Sequence, residues 1–250
     1  MGINFSQLDV TLYVLAIIFM ATLVRSALGF GEALIAVPLL AIRIPLKEAA
    51  PLAVMVSVTI AAFVIVQDWR KVHVQSAGWL IGPTVFGIPL GLLLLTSAHQ
   101  VMVKLVLALI IICFALYSLL RAQMPELKHD SKPWLLFCGF LAGILGGAYG
   151  MNGPPLAVYG TMRRWSPQHF RATLQGYFLP ASLLGMAGYL WKGLWNPQLT
   201  HYYLWSLLVT LPAVLLGRWA NHRLPHEGFR KAVFAGLVVI GLVLAGQAFC

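Results

Sequence analysis

Seven long stretches of the chain are almost free of charge, at about residues 10–28, 49–67, 77–96, 101–120, 172–191, 202–219 and 231–249. Each is close to the ~20 residues a helix needs to cross a ~30 Å hydrocarbon core. One soluble fold of 250 residues cannot bury so many such runs. Composition agrees, because charged types make up 10% of the chain against roughly 25% in a soluble domain. The bilayer is therefore the solvent, which excludes a cytosolic enzyme, a nucleic-acid reader and a disordered chain. The expectation is an all-α, multi-pass integral membrane protein of the inner (plasma) membrane. The run from Val10 to Leu28 has no basic region before it and is too long for a signal peptide, so it reads as a span.

Two further regions are apolar but broken. The first run meets Gly29-Phe30-Gly31-Glu32 and resumes as a short piece to Ile44. A run from Pro133 meets the breakers Gly146 to Pro155, with Gly150, Met151, Asn152 and Gly153 at their centre, and resumes to Met162. Charge decides how to count them. If each is one continuous span, ten Lys and Arg fall on one side and six on the other, Arg25 aside. If each is a hairpin, only Arg43, Lys47, Lys104 and Lys192 fall on one side and twelve on the other. Basic residues concentrate on the cytoplasmic side, so the hairpin count is preferred, with both termini outside. All eight tryptophans lie near run ends, where indole rings favour the membrane interface.

The chain also repeats. Gly29, Ala36 and Val37 match Gly150, Ala157 and Val158 at an offset of 121, and Gly91 matches Gly217 at 126. The expected organisation is a first repeat over 1–121, a cytoplasmic linker over 122–132 and a second repeat over 133–250. Each repeat opens with a broken or hairpin helix and continues with three long spans. On the hairpin count the two homologous halves of this polytopic helix bundle are inverted repeats, an arrangement common in secondary transporters.

Broken backbone at membrane depth is tolerated where it is buried or lines a wet cavity. Paired breaks at corresponding repeat positions point to a transport site. In the second break, Asn152 or Gly153 suits a helix cap and Pro154 suits a first helical turn. The free N–H groups and positive dipole end of that helix would face the break and favour an anion. In the first break, Gly29 and Gly31 free the backbone, a helix starts near Glu32, and Pro38 would kink it. Substrate-binding candidates are Arg25, Gly29, Phe30, Gly31, Tyr149, Gly150, Met151, Asn152, Gly153, Pro154 and Gln175, with Glu32 a candidate for proton coupling.

Each has a plainer alternative. Arg25 and Glu32, seven apart, could form a salt bridge that only stabilises the hairpin. Gly139, Gly143 and Gly147 are spaced for close helix packing. Tyr149 and Gln175 could bond neighbouring helices. Ser57 and Thr59 are read as bonding their own helix backbone. Cys113 and Cys138 read as inert packing, and Cys250 is far from both. His222 and His226 are four apart but separated by Pro225, so no metal and no cofactor is expected. The basic cluster from Arg218 to Lys231 reads as a topology signal that also meets lipid head groups.

The two breaks carry a resemblance. Ala27 to Leu40, reading ALGFGEALIAVPLL, resembles the first signature of the TauE/SafE sulfite exporter family. Gly143 to Leu156, reading GILGGAYGMNGPPL, resembles its second. The likeness covers essentially the whole chain. It implies a membrane permease for small anions such as sulfite, sulfonates or sulfoacetate. The first signature maps to Gly29, Gly31 and Pro38, and the second to Gly147, Gly150, Gly153, Pro154 and Pro155. Members are usually described with seven or eight spans, so the hairpin count departs from that description. Many relatives carry glycine or a neutral residue where Glu32 stands.

The function expected is therefore a secondary transporter that holds a small anion between two broken-helix tips and works by alternating access. Its partners are that anion and membrane lipids; no nucleic acid is expected, and proton coupling and a homodimer are left open. No P-loop, H-E-x-x-H or G-x-S-x-G is present, which argues against an ATPase and an enzyme. The alternatives are a passive anion channel and a non-transporting membrane scaffold.

Overall fold

A computed structural model describes residues 5–68, 74–97, 99–120, 126–127, 131–165, 167–223 and 226–249. The described residues form ten helices. The first five are α1 (Phe5–Leu28), α2 (Glu32–Leu40), α3 (Leu46–Asp68), α4 (Val74–Thr96) and α5 (Gln100–Leu120). The second five are α6 (Lys132–Tyr149), α7 (Gly153–Met162), α8 (Pro167–Trp191), α9 (Pro197–Arg223) and α10 (His226–Phe249). Six of the ten are long and apolar enough to cross a membrane by length and composition. Their outward faces carry leucine, phenylalanine and tryptophan: Phe86, Leu90 and Leu93 on α4, and Leu204, Leu208 and Trp219 on α9, are all exposed. In a bilayer these faces meet lipid. The chain is a multi-pass helical membrane protein.

Both interrupted segments are hairpins. With nine and ten residues, α2 and α7 are about 14–15 Å long, half the depth of a ~30 Å core. The far end of α2 lies beside the third turn of α1, where the Tyr13 hydroxyl donates to the Leu39 carbonyl at 2.5 Å. Arg43, just past α2, lies over the Tyr13 ring at 4.9 Å. The far end of α7 likewise returns to the chain ahead of α6. The Leu127 N–H donates to the Met162 carbonyl at 2.9 Å, and Arg163 Nη1 donates to the Leu127 carbonyl at 2.6 Å. Arg164 pairs with Glu126 at 2.8 Å on the same side. At the other end of the bundle, Asn196 Nδ2 donates to Glu48 Oε1 at 3.3 Å. Continuous spans would put each of these last two pairs on opposite membrane faces. Of the expected linker, residues 122–125 and 128–130 lie outside the described residues.

Helix packing is reciprocal between the halves. The first helix of each half lies against the fourth of the other, α1 on α9 and α6 on α4. Helix α3 meets α8, and α5 meets α10. Glycines make the α4–α6 contact close enough for backbone to touch backbone. A Cβ on Gly91 would overlap the Ile144 carbonyl, one on Gly143 the Thr84 carbonyl, and one on Gly139 would lie 2.7 Å from the Leu80 carbonyl. Without hydrophobic drive between helices in lipid, such close packing is a main source of association. The α1–α9 contact repeats the pattern, because a Cβ on Gly217 would overlap the Leu23 carbonyl and the Ser26 side chain. Leu23 and Ser26 precede Ile144 and Gly147 by 121 residues, the same offset that separates Gly29 from Gly150. The sequence repeat is thus a repeat of contacts.

Candidate functional site at the two hairpin tips

The backbone reverses at glycine in both tips. Gly29, Gly31 and Gly150 have φ of 90°, 101° and 66°, a region costly for residues with a Cβ. Gly150 closes α6 as a left-handed cap: its N–H reaches the Gly146 carbonyl at 2.9 Å, and the Met151 N–H reaches Leu145 at 3.1 Å. Helix α2 starts after Gly31 and α7 after Asn152, and neither start has a side-chain cap. Asn152 thus holds the cap position without capping; its side chain lies over Gly146 and reaches Tyr177. The two starts are unequal as donors. Glu32, Ala33 and Leu34 all have N–H groups, whereas Pro154 and Pro155 leave Gly153 as the donor in the first three positions of α7.

The tips meet around a single cavity. It is partly open and is lined by Arg25, Phe30, Gly31, Glu32, Ala33, Leu34, Ser57, Gly150, Met151, Asn152, Gly153, Pro154, Phe178 and Ser182. Nine of the residues singled out from sequence are among these. Gly29 shapes the turn beside the cavity. Tyr149 is fully buried and points elsewhere, its hydroxyl donating to the Val103 carbonyl of α5 at 2.9 Å. The Gln175 side chain lies outside the described residues, as do those of His222 and His226.

Arg25 organises the cavity. It sits in the last turn of α1, and Glu32 in the first turn of α2, so each charge complements the dipole of its own helix end. Arg25 Nη1 donates to Glu32 Oε2 and, at 2.6 Å, to Ser57 Oγ. The guanidinium carbon lies 5.2 Å from the centre of the Phe178 ring, which covers one face. Both charged residues are only 3% exposed. Arg25 Nε and Nη2 and Glu32 Oε1 have no protein partner. An Nε–Nη2 edge is the fork that binds an oxyanion through two parallel hydrogen bonds.

Sequence reading missed Ser57, Phe178 and Ser182. Ser57 does not spend its hydroxyl on its own helix as expected; it accepts from Arg25. Thr59 does bond its own helix, at the Met55 carbonyl (3.1 Å), and also meets the Tyr203 hydroxyl at 2.7 Å. A signal for Ser57 and Phe178 was present, for they stand 121 residues apart.

Long apolar helices around two hairpins whose second arms reach half-depth, and whose tips line a cavity holding a buried ion pair, define a membrane transporter. The chain belongs to a family described as Sulfite exporter TauE/SafE, which it matches over residues 14–244. It is also similar to the "Probable sulfite/organosulfonate exporter TauE" of Cupriavidus necator, with 26% identity over 177 residues, covering 71% of this chain and 68% of the relative. No solved structure matches the chain.

Proposed function

We propose that the protein is a secondary transporter of a small sulfur oxyanion, sulfite or a short organosulfonate, bound between the two hairpin tips. The observation that carries this reading is the buried, unpartnered Nε–Nη2 edge of Arg25, a residue of the cavity lining to which both tips contribute. A buried donor edge without a partner is costly, and a ligand with two acceptor oxygens removes that cost. The uncapped start of α2 adds backbone donors, and Ser182 and Asn152 add neutral polar groups. Phe30, Phe178 and Met151 offer apolar wall to a short organic tail. The sulfite and organosulfonate classes come from the name of the relative.

The reciprocal packing supports inverted halves. On this reading each hairpin returns to the side it left, α3–α5 and α8–α10 cross, and the second half starts on the opposite side. By length and apolarity among the described residues, α1 and α6 also reach spanning size, whereas α8 and α10 do not. Rocking of one half against the other would expose the tips to each face in turn. The organisation proposed is a first repeat over 1–121, a linker over 122–132 and a second repeat over 133–250. The test is sulfite flux into liposomes that hold the purified protein. Saturable uptake, accelerated by sulfite on the far side and lost in Arg25→Gln, is expected. Flux that grows linearly with concentration would replace the carrier with a channel, and saturable flux unaltered in Arg25→Gln would remove the anion from this cavity.

A further inference from the structure

We infer that Glu32 is a proton site coupled to the carried anion: the anion and one proton enter the cavity together, the proton binding Glu32 Oε1. The inference rests on the reading of Arg25 as the anion's ligand. Arg25 and Glu32 are the two charged residues of the lining. The remaining polar side chains there, Ser57 from α3, Ser182 from α8 and Asn152 ahead of α7, are neutral. Helices α5 and α10 also pack on α2. They approach this tip through Phe114, in edge contact with Phe30 at 6.4 Å, and Phe234, in contact with Phe114 at 5.9 Å. Among the described residues, the titratable side chain in ring contact with Phe114 is Tyr117, at 6.5 Å, and α5 also carries Lys104 and Cys113.

With Glu32 ionised, the empty site carries one positive and one negative charge. A singly charged anion added to it then leaves one buried negative charge uncompensated, which burial disfavours. One proton on Glu32 restores neutrality. Hydrogen bonding points the same way. An ionised carboxylate only accepts, so Oε1 and an anion oxygen in the same cavity repel. The protonated acid donates, and the repulsion becomes a hydrogen bond. Oε1 is the oxygen available for this, because Oε2 is held by Arg25.

The second hairpin is built without either member of the ion pair. The position equivalent to Glu32 at the 121-residue offset is Gly153, where α7 starts with no acidic residue. The position equivalent to Arg25 is Gly146. Ser57 and Phe178, equivalent to one another, both touch the Arg25 guanidinium. One guanidinium thus lies between matching points of the two halves and serves both. The cavity has one anion seat and one proton seat per chain.

The experiment is calorimetric titration of the full-length protein in detergent with methanesulfonate, which stays singly charged from mildly acidic to mildly alkaline pH. Repeating it in buffers of different ionisation heat counts protons. The wild type should take up about one proton per anion, with affinity falling about tenfold for each unit of rising pH. Glu32→Gln should bind with no proton uptake and with affinity independent of pH. Glu32→Gly, which copies the second hairpin, should do the same and serves if the Gln variant does not fold. Wild-type binding with no proton uptake and one affinity at all pH would overturn the role of Glu32 and leave the anion site standing. Absence of methanesulfonate binding in wild type and variants alike would remove the anion site and this inference with it.

Discussion

Arg25 and Glu32 pair across the turn between α1 and α2, not along one helix face. The pair closes the tip of the first hairpin and leaves one edge of the guanidinium unspent. A purely structural salt bridge has no use for that edge. Stability and transport should therefore respond differently to changes at the two residues.

Arg25→Met strands a buried carboxylate and should destabilise the protein by about 3–5 kcal/mol. The double change Arg25→Met with Glu32→Met removes both charges and should recover most of that loss. Thermal unfolding in detergent checks both statements. Sulfite flux then separates the two roles, because the double variant should fold and still not transport. Transport by the double variant would reduce the pair to a hairpin clip.

Gly153 offers a graded test of the space between the tips. A Cβ there would sit 3.4 Å from Phe30 Cδ2 and 3.9 Å from Phe178 Cζ, which is ordinary contact. Gly153→Ala should keep the fold and much of the flux. Gly153→Val should insert and fold normally yet carry no anion, because its branches enter the cavity. Equal flux in wild type and Val variant would place the anion elsewhere.

Two glycines of α4 should behave oppositely. Gly91 faces the α6 backbone, so Gly91→Ala must push the helices apart and should cost several kcal/mol, about 3 or more. Gly82 has nothing within 4 Å of its Cβ direction. Gly82→Ala should instead stabilise α4 by about 0.5–1 kcal/mol through helix propensity. Unfolding temperatures of the two variants, compared side by side, settle the matter.

The hairpins can be checked without a transport assay. Single cysteines placed at Glu126 and Arg164 should react with a membrane-impermeant thiol reagent from one side of the membrane. Those at Glu48 and Asn196 should react from the opposite side. Labelling of Glu126 and Arg164 positions from different sides would restore continuous spans.

Much of this organisation is readable from residue types. The breakers at Gly29–Gly31 and Gly150–Pro155 mark both tips, and the distribution of Lys and Arg favours hairpins over continuous spans. Glycines four apart on α6 announce a close crossing, though not its partner. Ser57 is harder to find, because a serine in an apolar helix can always turn back on its own backbone. Its partnership with Arg25 depends on how α1 and α3 pack, which no local pattern contains. Tyr149 shows the reverse case. It adjoins the break in sequence, yet the last turn of α6 points its ring at α5. Asn152 stands where a cap is expected, but the backbone there is already helical and its side chain lies over Gly146, towards Tyr177.

The glycine seam between α4 and α6, and its counterpart between α1 and α9, bear on how the chain comes apart. Each half builds the wall against which the other half's hairpin arm is seated. A chain cut in the linker therefore yields two fragments that each expose an unfilled backbone groove and lack half of the cavity. Neither fragment is a free-standing unit, and the two should regain the site only when produced together in one membrane. The boundary that divides the chain into halves is not a boundary in space.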